Sequence, residues 1–316
     1  MHIVATFNRD EKLQNQIQQQ FPNLQFHFFK NIDAAEKAVD SAEIILTFGD
    51  DITEEVVQRA KNLKWIMVFS AGLEKMPFQA LKEREIIVTN VRGIHKIPMA
   101  EFTIGYMLQH AKNQATFIEQ QKNKQWNRRV SMHELFGKTL LIVGAGAIGS
   151  QIAKLAKAFS MQTIGITRSG NLLENFDAVF SLADLNEQLE KADYVVNVLP
   201  STPKTKNVFA KEQFSKMKND AVFINIGRGD AVVEADLLEA LEAGQIGHAY
   251  LDVFQQEPLP NEHPFWTCKN LTITPHISSV TEMYLPRSFE IFQHNLTTYL
   301  TNGSDFINLV DLDRGY

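Results

Sequence analysis

Cysteine is almost absent from this sequence, which holds only Cys268 in 316 residues. A single thiol cannot form an intramolecular disulfide, and it cannot supply the several spaced thiols of a cysteine-rich zinc site. Cys268 also lacks a recognisable histidine partner that would activate it. These observations exclude a disulfide-stapled domain, and we expect no metal site.

Long apolar runs and a strong excess of one charge are absent too. No stretch approaches the roughly 18 residues that span a bilayer. Residues 1–10 lack the basic segment and apolar core of a signal peptide and are expected to form a strand. The 31 basic residues stand against 37 acidic ones, a net charge of −6, and no basic block marks a nucleic-acid footprint. We expect a cytoplasmic protein whose partners include neither a membrane nor a nucleic acid.

The sequence does contain a regular alternation of strand-like and helix-like segments. At roughly 150 residues per domain, 316 residues correspond to about two domains. Apolar runs at 2–7 and 43–48 alternate with helical patterns, such as the four-residue spacing of Leu13 and Ile17. The same rhythm restarts after a long helix predicted over 98–121. Strands that alternate with helices indicate α/β layers with mostly parallel sheets.

A glycine-rich loop, Gly144-Ala145-Gly146-Ala147-Ile148-Gly149, directly follows the predicted strand 139–143 and opens a helix. In this context the G-x-G-x-x-G pattern is typical of dinucleotide binding. Gly144 permits the tight turn, Gly146 lets the backbone approach a pyrophosphate, and Gly149 lets the helix pack on the strand. The N–H groups at the helix start, including those of Ala147 and Ile148, attract the anion. The alternative is a plain tight turn.

The next predicted strand ends at Arg168, 19 residues after Gly149, where an acidic residue would hold the ribose 2′-hydroxyl of NAD. Arginine cannot accept that hydrogen bond, but it can pair with the 2′-phosphate of NADP. Ser169 can add a hydroxyl donor. We therefore expect NADP(H) to be favoured over NAD(H), with a solvated arginine as the alternative.

Three further strand ends carry residues suited to acid–base chemistry. Arg228 follows the apolar run 221–226, Glu257 follows 249–253, and His276 follows 271–274. In a doubly wound sheet the carboxyl ends of the strands line the ligand crevice. We therefore expect the arginine, the glutamate and the histidine to converge beside a nicotinamide.

These segments together resemble the D-isomer-specific 2-hydroxyacid dehydrogenase family. Similar family motifs recur at 199–205 (L-P-S-T-P-K-T), in the substrate-carboxylate loop 70–73 (S-A-G-L) and at 308–311. The resemblance implies a Rossmann-type dinucleotide-binding domain inserted into a smaller flavodoxin-like α/β substrate domain. The expected limits are 1–95 and 287–316 for the substrate domain and 96–286 for the inserted one, with a catalytic cleft between the lobes. The extra regulatory domain of longer phosphoglycerate dehydrogenases is expected to be absent.

The resemblance also implies roles for individual residues. His276 would give a proton to the carbonyl oxygen of a 2-keto acid, Glu257 would orient and charge its ring, and Arg228 would hold the substrate carboxylate. The implied substrate-binding residues are Ala71, Gly72, Leu73, Arg228 and His276. The implied cofactor-binding residues are Gly144, Gly146, Ala147, Ile148, Gly149, Arg168, Ser169, Leu199, Pro200, Thr205, Ile226, Gly227, Asp252, Ser278 and Ser279. For Asp252 a structural cap is the alternative role, and His95 is the other histidine that could rim the site.

The implied reaction is reduction of a small 2-keto acid of the glyoxylate or hydroxypyruvate type to the D-2-hydroxy acid. Two alternatives stay open: an NAD-linked enzyme like phosphoglycerate dehydrogenase, and a non-enzymatic dinucleotide sensor like the transcriptional corepressor that shares the family fold. The resemblance further implies a homodimer built through the helix at 98–121 and the segment after it.

Overall fold

The computed structural model describes residues 1–73 and 75–314, and the chain divides into two compact units. The first unit takes Met1–Ile94 together with Thr281–Tyr316, and the second is His95–Val280. The sequence placed the second boundary after residue 286. In the structure Tyr284 already belongs to the first unit, where its hydroxyl donates a hydrogen bond of 2.7 Å to the carbonyl of Phe69.

The first unit is built on a five-stranded parallel sheet. Its strands are β1 (His2–Ala5), β2 (Gln25–Phe28), β3 (Ile44–Thr47), β4 (Trp65–Val68) and β5 (Ile87–Asn90). They lie in the order β2-β1-β3-β4-β5, which is the flavodoxin-like arrangement. Trp65 is fully buried in this sheet, and its indole N–H donates to the hydroxyl of Thr89 at 2.9 Å.

Helices cover this sheet, and their starts follow from capping side chains. They are α1 (Glu11–Gln20), α2 (Ile32–Val39), α3 (Glu54–Arg59), α4 (Phe78–Glu83) and the C-terminal helix (Tyr284–Leu300). Asp10, Asn31 and Thr53 each accept a hydrogen bond from a backbone N–H three residues on, which satisfies a donor of the first turn. The C-terminal helix buries Phe289, Phe292 and Leu296 against the sheet core.

The second unit holds a seven-stranded parallel sheet. Its strands are β6 (Thr139–Val143), β7 (Gln162–Thr167), β8 (Ala178–Ser181), β9 (Tyr194–Asn197), β10 (Val222–Asn225), β11 (His248–Leu251) and β12 (Leu271–Ile273). Its helices are α5 (Lys96–Ala111), α6 (Gln114–Lys122), α7 (Ala147–Ala158), α8 (Leu185–Leu189), α9 (Lys211–Lys216) and α10 (Glu234–Glu242). The strand order β12-β11-β10-β9-β6-β7-β8 is the doubly wound dinucleotide-binding order, extended by one strand.

The prediction of a single helix over 98–121 is wrong, because the structure has two helices there, α5 and α6. Asn113 lies between them in the left-handed conformation with φ 49°, which asparagine tolerates better than most residues. Its side-chain oxygen accepts a hydrogen bond of 2.6 Å from the hydroxyl of Thr116. Across the described part of the chain, no helix is both long enough and apolar enough to cross a membrane.

Candidate active site

The glycine loop lies between β6 and α7 as the sequence predicts, and its glycines differ in what surrounds them. Gly144 has φ +102°, and a Cβ atom there would lie 2.8 Å from the carbonyl carbon of Val198. A Cβ on Gly149 would lie 2.7 Å from the carbonyl oxygen of Gly144. A Cβ on Gly146 would meet nothing within 4 Å. Packing therefore requires glycine at positions 144 and 149, whereas Gly146 borders open space.

That open space lies at the start of α7. Gly146 is the N-cap residue and no side chain caps the helix, so the first N–H groups are left to an external acceptor. Gly146 and Ala147 are exposed, and Ile148 is half-buried. The positive end of the helix dipole therefore faces an uncrowded surface that fits a pyrophosphate.

Arg168 and Ser169 follow β7 directly, and both are exposed. The N–H of Gly170 donates to the hydroxyl of Thr167 at 2.9 Å, which turns the chain back after the arginine. β7 is the immediate neighbour of β6, so this turn and the glycine loop lie side by side at one sheet edge. An exposed arginine at this point is well placed for an anionic group on the adenosine ribose.

Two buried asparagines that the sequence analysis missed fix the neighbouring loops. Asn197 ends β9 and Asn225 ends β10, and the amide of Asn197 donates to the side-chain oxygen of Asn225 at 2.9 Å. Asn197 also accepts from the N–H of Leu199 at 3.2 Å, and Asn225 accepts from the N–H of Gly227 at 3.1 Å. The amide of Asn225 donates to the carbonyl of Arg228 at 3.2 Å. The sequence feature that could have identified this pair is an asparagine at the last position of each of two apolar strands.

The loops after β9 and β10 pack directly against each other and against the loop after β11. A Cβ on Gly227 would lie 2.8 Å from the carbonyl oxygen of Leu199. A Cβ on Gly229 would lie 1.9 Å from the carbonyl carbon of Phe254, so only glycine fits there. The loop that carries Arg228 is thereby held between its two neighbours.

The other cofactor residues expected in these loops also lie at this sheet edge. Ile226 is buried directly after β10. Thr205 donates a hydrogen bond of 2.5 Å to the carbonyl of Pro200, which closes the turn that follows Leu199. Ser278 is buried and Ser279 half-buried after β12.

His276 and Glu257 form a direct pair. Nδ1 of His276 lies 2.7 Å from Oε2 of Glu257, while the other carboxylate oxygen accepts from the N–H of Phe254 at 2.9 Å. An ionised carboxylate can only accept, so Nδ1 carries the proton of this bond and Nε2 remains for other chemistry. The His276 side chain is 47% exposed, so that nitrogen can be reached from solvent.

Asp252 lies beneath the histidine loop. It is fully buried, its backbone carbonyl accepts from the N–H of His276 at 2.8 Å, and its carboxylate accepts from the N–H groups of Ile277 and Ser278, each at 2.9 Å. The hydroxyl of Thr274 adds a bond of 2.6 Å to the same carboxylate. Of the two roles expected for Asp252, these contacts favour the structural cap.

The positive charge of Arg228 acts on the side chain of His95. The Arg228 side chain is exposed and donates to the carbonyl of Gly227 at 2.8 Å. Burial, reinforced by the positive charge of Arg228, lowers the pKa of His95 below its ordinary value. A neutral imidazole therefore lies close to the arginine that is expected to bind a carboxylate.

The loop expected to bind the substrate carboxylate belongs to the first unit and follows β4. Ala71 is half-buried, Gly72 is exposed and Leu73 is buried. The amide of Asn90 donates to the carbonyl of Ala71 at 3.2 Å, and the N–H of Gly72 donates to the hydroxyl of Ser70 at 3.3 Å. The loop is thus anchored to the end of β5, and one of its three N–H groups already has a long internal bond.

Comparison with known proteins agrees with this arrangement. The family model for the D-isomer specific 2-hydroxyacid dehydrogenase NAD binding domain matches residues 104–278. A solved D-isomer specific 2-hydroxyacid dehydrogenase family protein from Aeromonas salmonicida subsp. salmonicida is similar with a TM-score of 0.84 and 34% identity, covering 99% of each chain.

Two curated relatives differ in the activity that they are named for. A D-3-phosphoglycerate dehydrogenase from Methanocaldococcus jannaschii is 37% identical over 78% of this chain, which spans only 47% of that relative's length. A glyoxylate reductase from Thermofilum pendens is 33% identical over 83% of this chain and 79% of its own. From the matched domain, the strand order and these similarities, the chain belongs to the D-isomer specific 2-hydroxyacid dehydrogenase family, a family of oxidoreductases that use a nicotinamide cofactor.

Proposed function

We propose that this protein is a cytoplasmic, NADPH-preferring reductase that converts small 2-keto acids of the glyoxylate and hydroxypyruvate type to D-2-hydroxy acids. The observation that carries the proposal is the His276–Glu257 pair, 2.7 Å apart at the carboxyl edge of a dinucleotide-binding sheet, with Arg228 on the loop that neighbours that of Glu257. This combination of a proton donor, its orienting carboxylate and a carboxylate-binding cation is what reduction of a keto acid requires.

The cofactor would be held by the glycine loop and by the strand ends beside it. Gly146 offers the open approach that a pyrophosphate needs, and Arg168 is the cation available to a ribose 2′-phosphate. When bound, NADPH supplies the hydride that reduces the carbonyl carbon. The preference for NADPH over NADH rests on Arg168, because an arginine cannot accept the hydrogen bond that the ribose 2′-hydroxyl of NAD donates to an acidic residue.

His276 would complete the reaction by giving the proton on Nε2 to the oxygen of the carbonyl. Glu257 accepts the hydrogen bond from Nδ1, which fixes the orientation of the ring and stabilises the positive charge that the proton donor carries. The substrate gains one hydride at carbon and one proton at oxygen. The ring of His276 becomes neutral, with its remaining proton on Nδ1.

Arg228 would bind the substrate carboxylate and polarise the carbonyl. The backbone N–H groups of Ala71, Gly72 and Leu73 are proposed as further donors to that carboxylate. The half-buried, neutral His95 beside Arg228 would help keep this cation available to the substrate, because it adds no competing charge.

We further propose that the protein is a homodimer that uses the segment around α6. This segment exposes large apolar side chains, among them Trp126 at 94% and Phe136 at 72%, which is unusual for a surface that stays in water. A groove of about 720 Å³ lies beside Phe117, Trp126 and Met132. Light scattering should give twice the mass of one chain, and Trp126→Glu should shift the protein toward the monomer; a monomer at all concentrations would contradict this.

An NAD-linked phosphoglycerate dehydrogenase is the second candidate, favoured by the identity to the M. jannaschii relative. One assay separates the two candidates: oxidation of NADPH and of NADH at 340 nm with glyoxylate, hydroxypyruvate, pyruvate and 3-phosphohydroxypyruvate. The proposal expects the highest kcat/KM with NADPH and one of the small unphosphorylated acids. Highest activity with NADH and the phosphorylated acid would replace it, and no turnover with any acid would refute both.

A further inference from the structure

A series of hydrogen-bonded hydroxyl groups connects α5 to the loop that carries His276. The phenol oxygen of Tyr106, on α5, lies 2.6 Å from Oγ1 of Thr274, and Thr274 donates in turn to Oδ1 of Asp252 at 2.6 Å. Tyr106 is only 5% exposed and Asp252 is fully buried. We propose that Tyr106 is a positioning residue for His276, acting through Thr274 and Asp252; the inference rests on the proposed role of His276 as the proton donor.

The direction of each hydrogen bond in the series Tyr106–Thr274–Asp252 follows from the carboxylate at its end. The carboxylate of Asp252 can only accept, so the hydroxyl of Thr274 must donate to it. The oxygen of Thr274 is then an acceptor, and Tyr106 must be the donor. Burial raises the pKa of the Tyr106 phenol far above its ordinary value, so the phenol keeps its proton and remains a donor throughout the working pH range.

Asp252 connects these hydrogen-bonded hydroxyl groups to the loop that carries His276. His276 adopts a left-handed backbone conformation with φ 54°, which is energetically unfavourable for a residue other than glycine. Asp252 counters that cost from both sides of the residue, through its carbonyl to the N–H of His276 and through its carboxylate to those of Ile277 and Ser278. An unusual conformation persists only where its surroundings impose it, and these bonds impose it here.

Tyr106 matters because a buried carboxylate needs all of its donors. Each lost donor leaves charge less well compensated in a low-dielectric interior, and bonds in a chain strengthen one another. Without the phenol, the hydroxyl of Thr274 loses the partner that polarises it and can turn away from Asp252. The carboxylate would then hold the N–H groups of Ile277 and Ser278 less firmly, and the ring of His276 would leave its bonding distance to Glu257 more often.

The test is Tyr106→Phe, with Tyr250→Phe as the matched control. Tyr250 is equally buried and its ring packs 4.4 Å from that of Tyr106, but its hydroxyl bonds to Thr272 and not to the catalytic loop. We expect Tyr106→Phe to lower kcat about tenfold, with KM for the keto acid within twofold. Tyr250→Phe should leave both kcat and KM within twofold of the parent protein.

Hydrogen exchange gives a readout that does not depend on activity. The amide protons of Ile277 and Ser278 should exchange at least tenfold faster in Tyr106→Phe than in the parent protein, and at the parent rate in Tyr250→Phe. Thr274→Val should reproduce the effects of Tyr106→Phe, and Thr274→Ser should restore parent behaviour. The double variant Tyr106→Phe/Thr274→Val should be no worse than Thr274→Val alone, since both break one chain.

Two results would overturn the inference: unchanged exchange of the two amides in Tyr106→Phe, or equal losses of kcat in the Tyr106 and Tyr250 variants. If Tyr106→Phe does not fold, the same comparison is made between Thr274→Val and Thr274→Ser. A parent protein that turns over no keto acid would refute the proposed function instead, while the exchange measurement would still decide whether Tyr106 controls the loop.

Discussion

Two single-methyl substitutions in the glycine loop should have opposite consequences. In Gly146→Ala the new methyl group enters space with no protein atom within 4 Å, at the start of α7. In Gly149→Ala it would lie 2.7 Å from the carbonyl oxygen of Gly144 and 3.0 Å from Cγ2 of Ile142. The first change therefore intrudes on the cofactor's space, and the second on the protein's own packing.

The magnitudes follow from these distances. Overpacking costs about 1–3 kcal/mol, and an approach of 2.7 Å to a backbone oxygen belongs at the upper end of that range. Alanine returns at most about 1 kcal/mol through its helix propensity, so Gly149→Ala should lose about 1–2 kcal/mol. In a domain of this size that lowers the melting temperature by about 2–8 °C. Gly146→Ala should leave melting unchanged or raise it slightly. A similar clash of about 1–3 kcal/mol with the pyrophosphate would weaken NADPH binding by roughly 5- to 150-fold.

Differential scanning fluorimetry without cofactor, together with NADPH titration by protein fluorescence, measures both quantities on the same samples. Gly146→Ala should retain the parent melting temperature and lose affinity. If Gly146→Ala instead binds NADPH as tightly as the parent protein, the pyrophosphate does not approach at this residue and the assignment of the loop is refuted. Parent-like melting of Gly149→Ala would show that α7 can move away from β6 at little cost.

Three further predictions concern charge. Arg168→Asp should lower the NADPH/NADH ratio of kcat/KM at least tenfold, and an unchanged ratio would remove the 2′-phosphate assignment. Glu257→Gln should lower kcat for keto-acid reduction about tenfold, because the ring of His276 loses its anionic partner; a kcat within twofold of the parent protein would count against the pair. Burial, with His110 adding to it, lowers the pKa of His248 to about 4, so the unfolded chain takes up the proton first as pH falls below 6.5. The neutral ring of His248 contributes up to about 3 kcal/mol to the free energy of unfolding above pH 6.5, and this contribution is lost as the pH falls towards 4. In His248→Phe, the free energy of unfolding measured in urea should therefore depend less on pH over that range.

The parts of the fold that the sequence could predict are those written in local patterns. The strand ending at Val143, the glycine loop and α7 are contiguous, so their spacing defines them without knowledge of the sheet. Arg228, Glu257 and His276 could be placed at strand ends because each follows an apolar run. The break at Asn113 was missed because helical periodicity continues on both sides of it, and a single left-handed residue leaves no mark on an apolar pattern.

The parts that could not be predicted depend on which strands are neighbours. The bond between Asn197 and Asn225 exists because β9 and β10 are adjacent, a consequence of the whole strand order. The contact between Tyr106 and Thr274 joins residues 168 positions apart. Asp252 illustrates the same limit, since its sequence context suited a cofactor contact as well as a cap, and only the buried donors around it favour the cap.

The proposal that His276 delivers the proton is tested most directly by kcat for glyoxylate or hydroxypyruvate reduction in His276→Asn. NADPH affinity and the melting temperature, measured in parallel, show whether the site is otherwise intact. Loss of a positioned general acid should lower kcat by about 100- to 10,000-fold, with NADPH affinity within twofold of the parent protein. A His276→Asn enzyme that keeps its cofactor affinity and stays within tenfold of the parent kcat would contradict the role assigned to His276.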